Sequence, residues 1–144
     1  MVAFERRSPM GRKRVLWLDE GGQFEAFVHW FDDRYDFVHV LRGENCLTKL
    51  HKGGFDLVIS EYELVCSDFP LDETDQGFSV GAFLYREIRK FNSAIPVVFY
   101  HLALGVRAKR IEEQFDHPDQ KVWAFSKIEV EGDEFSREVI KILG

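Results

Sequence analysis

Five short runs of consecutive apolar residues, each followed by a stretch whose apolar residues recur at helical spacing, constrain this chain more than any other feature. The runs are Val15-Leu16-Trp17-Leu18, Phe37-Val38-His39-Val40-Leu41, Leu57-Val58-Ile59, Val97-Val98-Phe99-Tyr100 (opened by Pro96) and Val122-Trp123-Ala124-Phe125. An unbroken apolar run of this length reads as a strand covered on both faces, since a strand with one wet face alternates with period two. Between the runs, Phe24, Phe27, Val28 and Phe31 follow helical spacing. Cys46, Leu47 and Leu50 mark a short helix stopped by Gly53-Gly54, and Phe83, Leu84, Ile88 and Phe91 stripe a helix over roughly 80–91. Val106, Ile111 and Phe115 mark a fourth helix; Phe135, Val139, Ile140 and Leu143 mark a fifth. Strands alternating with helices imply a parallel sheet, because each helix carries the chain back across it by a right-handed crossover. The expected architecture is a three-layer α/β/α sandwich.

The length, 144 residues, suits one domain, and with 45% hydrophobic residues and 14 Phe the chain can bury a full core. A net charge of -6 disfavours sequence-independent nucleic-acid binding, which needs a basic surface. The exception is Arg6, Arg7, Arg12, Lys13 and Arg14 beside Ser8-Pro9. Residues 1–13 read as a flexible basic tail, or as an arm touching a membrane or nucleic acid, ahead of a single domain over 14–144. No segment is long or apolar enough to span a bilayer, and the N-terminus lacks a hydrophobic signal core. Cys46 and Cys66 lack metal spacing and suggest no disulfide framework. Together these features point to the cytoplasm, with no nucleic-acid or membrane partner. Residues 64–79 stand out as long and acidic, with Asp68, Asp72, Glu73 and Asp75 around Pro70 and Gly77. They read as a solvated insertion or as a partner-binding loop or lid.

In parallel α/β sheets, ligands bind beyond the carboxyl ends of the strands. The first strand ends in Asp19-Glu20, the third in Ser60-Glu61 with Glu63 nearby, the fourth in His101 and the fifth in Ser126-Lys127. Carboxylates gathered in this way bind a hard cation such as Mg²⁺ or raise one another's pKa. A lysine beside them neutralises the charge or holds a phosphoryl oxygen.

This order of residues resembles the receiver domains of two-component signalling over about 13–144. RVLWLDE is similar to the family's first strand with its acidic pair. FDLVISE is similar to its third strand, GAFLYREIRKFNSAIPVVFYH to its third helix and fourth strand, and WAFSKI to the strand that delivers its lysine. The resemblance implies a CheY-like, flavodoxin-type sheet of order 2-1-3-4-5. It also implies an acidic pocket of Asp19, Glu20 and Glu61, with Mg²⁺ as the cofactor it could hold.

The chain departs from the family's pattern where phosphotransfer is done. Glu61 stands at the phosphoacceptor aspartate, with its carboxylate one methylene further out. His101 stands at the switch hydroxyl, Ala124 at the aromatic switch with Trp123 beside it, and Ile128 at the proline after the lysine. Asp19, Glu20 and Lys127 are kept. These kept residues could still hold Mg²⁺ together with Glu61; equally, Lys127 and Glu61 could form a direct ion pair, which would imitate the charge of a phosphorylated state only crudely. His101 reads as a partner of Glu61 or as a histidine exposed at a strand end.

The expectation is a degenerate receiver, acting without phosphorylation as a protein-interaction module and not as an enzyme. Its partner would be a signalling kinase or output protein, docked on the face of the fourth helix, fifth strand and fifth helix, including Val106 to Phe115 and Phe135 to Leu143. The resemblance also allows a homodimer through that face. Two alternatives compete. One is a working receiver with Ser60 or a neighbouring acid as acceptor, although strand alternation turns Ser60 away from Glu61. The other is a Mg²⁺-dependent phosphohydrolase with Asp19 as nucleophile, although the second aspartate such enzymes need is Gly21 here. No P-loop, dinucleotide fingerprint, nucleophile elbow or zinc motif appears.

Overall fold

The computed structural model describes residues 11–64 and 68–144. Arg6, Arg7, Ser8, Pro9 and Cys66 therefore lie outside the described residues. Five strands and five α-helices alternate: β1 (Arg14–Leu18), α1 (Gln23–Phe27), β2 (Asp36–Val40), α2 (Gly43–Lys52), β3 (Leu57–Ser60), α3 (Val80–Phe91), β4 (Val97–His101), α4 (Gly105–Phe115), β5 (Val122–Ser126) and α5 (Gly132–Leu143). The strands form one parallel sheet of order β2-β1-β3-β4-β5, as the receiver resemblance implied.

The sheet explains the unbroken apolar runs. Central strands β1, β3 and β4 are buried along almost their whole length because alternate residues feed two separate cores. Leu16, Leu18, Val58, Val97 and Phe99 pack with residues of α2, α3 and α4. Val15, Trp17, Leu57, Ile59, Val98 and Tyr100 pack with Phe31 and with Phe135 and Val139 of α5. The edge strands β2 and β5 are only partly covered, so they tolerate His39 and Trp123 at half-buried positions.

The first helical stretch differs from its sequence pattern. Phe24 to Phe31 predicts one helix, yet the α-helix stops at Phe27 and a 3₁₀ turn carries Val28–Phe31. The tighter winding brings Phe31 inward, edge-on to Trp17 and Phe135 with ring centroids 6.2 and 6.3 Å away. The predicted stop of α2 holds: Gly53 takes φ +80 and its N–H bonds to Leu50 C=O.

The acidic stretch between β3 and α3 is anchored at several points. The Asp68 carboxylate accepts from the backbone N–H of Gly43 at 3.0 Å and of Glu44 at 3.3 Å, so it caps α2 from 24 and 25 residues away. No side chain adjoining the helix start does this. Phe69 is buried, 4.6 Å ring to ring from Phe83 of α3. Thr74 is also buried, its hydroxyl donating to Pro70 C=O at 2.9 Å, and Leu64 N–H bonds to Gly77 C=O at 3.1 Å. These residues are part of the core and the helix cap, which a freely solvated insertion would not supply. Asp68→Ala is expected to cost about 1 kcal/mol, the usual worth of an N-cap. Urea unfolding would measure it, and hydrogen exchange at Gly43 and Glu44 should speed up first; unchanged stability and exchange would show that the cap is idle.

Candidate functional site at the carboxyl edge of the sheet

The parallel register brings the carboxyl ends of β1, β3, β4 and β5 to one edge, with Leu18 beside Ser60, Ser60 beside Phe99 and His101 beside Ser126. Asp19, Glu20, Glu61 and Lys127 on the loops beyond that edge thus gather near His101, the last residue of β4. The close approach of α3 to the β3 loop depends on Gly81. A Cβ there would lie 2.5 Å from Tyr62 and 2.8 Å from Phe99, and its N–H bonds to Tyr62 C=O at 2.8 Å.

Glu61 and Lys127 form a direct ion pair. Lys127 Nζ lies 2.7 Å from Glu61 Oε1, with side-chain exposures of 4% and 16% respectively. The ammonium also donates to Gln23 Oε1 at 3.2 Å and sits over the rings of Tyr100 and Phe27, 5.5 and 5.8 Å from their centroids. Its backbone N–H bonds to His101 C=O at 2.7 Å, which ties the β5 loop to the end of β4. Burial pushes the Glu61 carboxyl up; Lys127 pulls it back, and Asp19 and Glu20 push it further up.

Asp19 is fully buried and its carboxylate is already engaged. Oδ1 accepts from Gly21 N–H at 3.1 Å and Oδ2 from Phe24 N–H at 2.5 Å, so the side chain organises the turn into α1. Its carbonyl accepts from His39 Nε2 at 2.9 Å, and the His39 ring stacks on Phe24 at 4.5 Å. Glu20 is half-buried beside Glu61. Ser60 is fully buried on the sheet, its hydroxyl donating to Glu61 C=O at 2.7 Å.

His101 is buried at 2% exposure, which overturns the reading of a histidine exposed at a strand end. Its Nδ1 accepts from Ala103 N–H at 3.2 Å, and no hydrogen bond joins it to Glu61. Burial, with Lys127 as a second cause, lowers its pKa to about 4, so the ring is neutral at physiological pH. On the same face of the neighbouring strand, Ala124 lies beside Phe99 in register, and the Phe99 and Phe115 rings pack there. This face of the two strands therefore carries a ring at 101 and a methyl at 124.

Glu63 takes no part in the acidic cluster; it pairs with Arg107 of α4 at 2.8 Å, and the Arg107 guanidinium lies over Phe78 at 4.5 Å. Of the expected docking stretches, Ile111, Phe115, Phe135 and Val139 are buried in the core and Val106 is the large apolar residue left exposed; outside those stretches, Leu102, Leu104 and Ile128 are also exposed at that side of the edge. Sequence reading missed the roles of Gln23, His39 and Tyr100. Tyr100 supports the lysine from below, stacked on Phe135 at 3.8 Å with its hydroxyl bonded to Val130 C=O at 2.6 Å. A tyrosine on a buried strand signals only that its hydroxyl needs a partner.

Among known structures the same arrangement of strands and helices recurs in response regulators. The chain superposes on a two-component response regulator from Clostridium difficile with a TM-score of 0.67 at 14% identity, covering 92% of this chain and 96% of that one. It matches a CheY-like response regulator receiver domain from Methanospirillum hungatei at 0.66 and 12% identity, covering 92% and 94%. A chain of the complex between histidine kinase ThkA and response regulator TrrA matches at 0.63 and 22% identity, covering 92% and 99%. The fold is that of a receiver domain. No protein-family model matches the sequence, and no curated protein matches it.

Receiver domains implied Mg²⁺ at this pocket, and the donor set here disagrees. Both Asp19 oxygens accept backbone N–H groups, and one Glu61 oxygen holds an ammonium. A hard cation would need several of these oxygens turned toward one point. Among the described residues no three His, Cys, Asp or Glu side chains are placed to hold a metal. No helix of the described residues is long and apolar enough to cross a membrane.

Proposed function

We propose that the chain is a degenerate receiver of a two-component-type signalling system, working in the cytoplasm as a protein-interaction module without phosphorylation and without catalysis. The observation that carries this reading is the buried Lys127–Glu61 pair at 2.7 Å. In a phosphotransfer site the lysine must reach a phosphoryl oxygen and the acceptor carboxylate must be free to attack the phosphorus. Here each neutralises the other. The engaged Asp19 carboxylate argues in the same direction against a phosphohydrolase, since a buried acid bonded to two backbone amides is a poor nucleophile. Buried Ser60 argues against a hydroxyl acceptor. The partner is a protein of the signalling apparatus, docked at the exposed Leu104, Val106 and Ile128 side of α4 and β5. A protein partner is in keeping with the similar structure of histidine kinase ThkA in complex with response regulator TrrA.

Intact-mass measurement after incubation with Mg²⁺ and acetyl phosphate tests the reading, with Glu61→Asp alongside. The expected result is no added phosphate on the native chain. Uptake by the variant alone would locate the loss at the acceptor, and absence from both would locate it in the wider pocket. Phosphate on the native chain would sink the proposal.

A further inference from the structure

Between α4 and the segment that enters α3 lies a cleft of about 140 Å³, with Tyr62, Asp75, Phe78, Arg107, Arg110 and Ile111 in its lining. That is the liquid volume of roughly four or five waters, room for a carboxyl group and the methylenes that carry it. We propose that this cleft takes the carboxylate of an acidic side chain on a partner protein, accepting from the Tyr62 hydroxyl and from the Arg107 and Arg110 guanidiniums, with its methylenes against Phe78 and Ile111.

Three observations lead there. The first is a hydroxyl without a partner. Tyr62 is 6% exposed, and among the described residues its Oη takes part in no hydrogen bond. The unpartnered atom sealed from solvent is His101 Nε2, so Tyr62 Oη is reached from the space that the residue lines. Burial raises the phenol's pKa to about 12, which keeps it an O–H donor, and the charges that act on it are Arg86, Arg107 and Glu63. Glu61 and Lys127 are not among them, which places the hydroxyl toward α3 and α4 and away from the ion pair. The second is the balance of charge. Arg107 meets Glu63 through Nη2, one part of a guanidinium with five N–H donors. Among the described residues no ion pair engages Arg86 or Arg110. These three guanidiniums exceed the two carboxylates around the cleft, Glu63 and Asp75, by one charge. A single carboxylate completes the balance, a phosphate dianion overshoots it and an ammonium is repelled. The third is local structure held against its own preference. α4 has no acid in its first turn and carries Arg107, Lys109 and Arg110 within its first two, although a helix N-terminus disfavours cations. Asp75 and Gln76 take φ 49 and 58, left-handed values that residues with a Cβ rarely hold, and they lead through Gly77 to Phe78, which is half-exposed beneath Arg107. Such strain persists where the surrounding structure imposes it, and it gathers at binding sites.

The inference goes beyond the docking side proposed above, because the cleft lies on the flank of α4 turned toward α3 and does not depend on the state of Glu61. The probe is an acetylated, amidated tripeptide with a central glutamate between two alanines, titrated into the full chain and read by ¹⁵N NMR at the Tyr62, Phe78 and Arg110 amides. Glutamine, lysine and phosphoserine versions are the controls. The expected result is a saturable shift with the glutamate peptide, about tenfold tighter than with the glutamine or lysine peptide and at least as tight as with phosphoserine. Arg110→Gln should weaken it about tenfold, and Tyr62→Phe, which keeps the ring packed on Phe99 and Phe115, about threefold. Lys109 is exposed and does not line the cleft, so Lys109→Gln removes the same charge and should leave binding within about twofold. Shifts that stay linear, a glutamine peptide that binds equally, tighter binding of phosphoserine, or full binding by both Arg110→Gln and Tyr62→Phe would each overturn the proposal. So would a Lys109→Gln loss equal to that of Arg110→Gln, which would reduce the effect to the long-range field of a basic surface.

Discussion

Lys127→Met is expected to destabilise the domain by about 3 kcal/mol, the lower end of what removing one partner of a buried ion pair costs. The reason is the charge left behind. Glu61 is mostly buried, and without the ammonium it must either stay ionised in an apolar setting or take up a proton. The double variant Lys127→Met with Glu61→Leu is expected to recover most of the loss, ending within about 1 kcal/mol of the native chain. Taking two charges out of water costs nearly as much as their attraction returns. Urea unfolding of the native chain, both single variants and the double variant gives the coupling directly. A Lys127→Met loss below about 0.5 kcal/mol, the range of exposed pairs, would mean the pair is solvated and cannot carry the proposed function.

The second large effect concerns pH and belongs to His101. Its pKa falls from an ordinary 6.5 to about 4 on folding, through burial and then through Lys127. A depressed folded-state pKa means that the unfolded chain binds the proton first. Stability from this group is therefore complete above pH 6.5, declines as the pH drops toward 4, and is gone below that. The size, from a shift of this order, is about 3 kcal/mol. Glu61 acts in the opposite sense, because its raised pKa favours the folded state when it is protonated. His101→Leu separates the two. The native chain minus the variant should lose about 3 kcal/mol between pH 6.5 and 4, and the variant's own profile should keep only the carboxylate contributions. Parallel profiles for the two proteins would show that the ring is protonated in the folded state, which is incompatible with its Nδ1 accepting from Ala103 N–H.

Both predictions concern the same cluster of side chains at the carboxyl edge of the sheet. In this chain Lys127 is bound to Glu61, Asp19 to its own turn and the His101 ring to its own loop. Among the described residues, His101 Nε2 is the buried side-chain nitrogen or oxygen left without a hydrogen-bond partner.

The sequence by itself determined the fold and the location of the site. Strands buried on both faces must be apolar without interruption, and helices packed on one side must be apolar every third or fourth residue. Val15 to Leu18 and Val97 to Tyr100 could not be read as surface strands, nor Phe83 to Phe91 as anything but an amphipathic helix. Once the strands are parallel, the residue after each one necessarily lies at the same edge, so Asp19, Glu61, His101 and Lys127 could be assembled without coordinates. Only the tertiary structure decided what these residues do to one another. Glu61 and Lys127 are 66 positions apart, and Asp68 caps a helix that begins 25 positions earlier. Periodicity records which way a side chain faces and how deeply it is buried. It carries no record of which distant donor meets which acceptor. The break of the first helix at Phe27, the anchoring of the acidic stretch and the burial of His101 depend on the shape of the space left by neighbouring layers, and that shape exists only once the chain has packed.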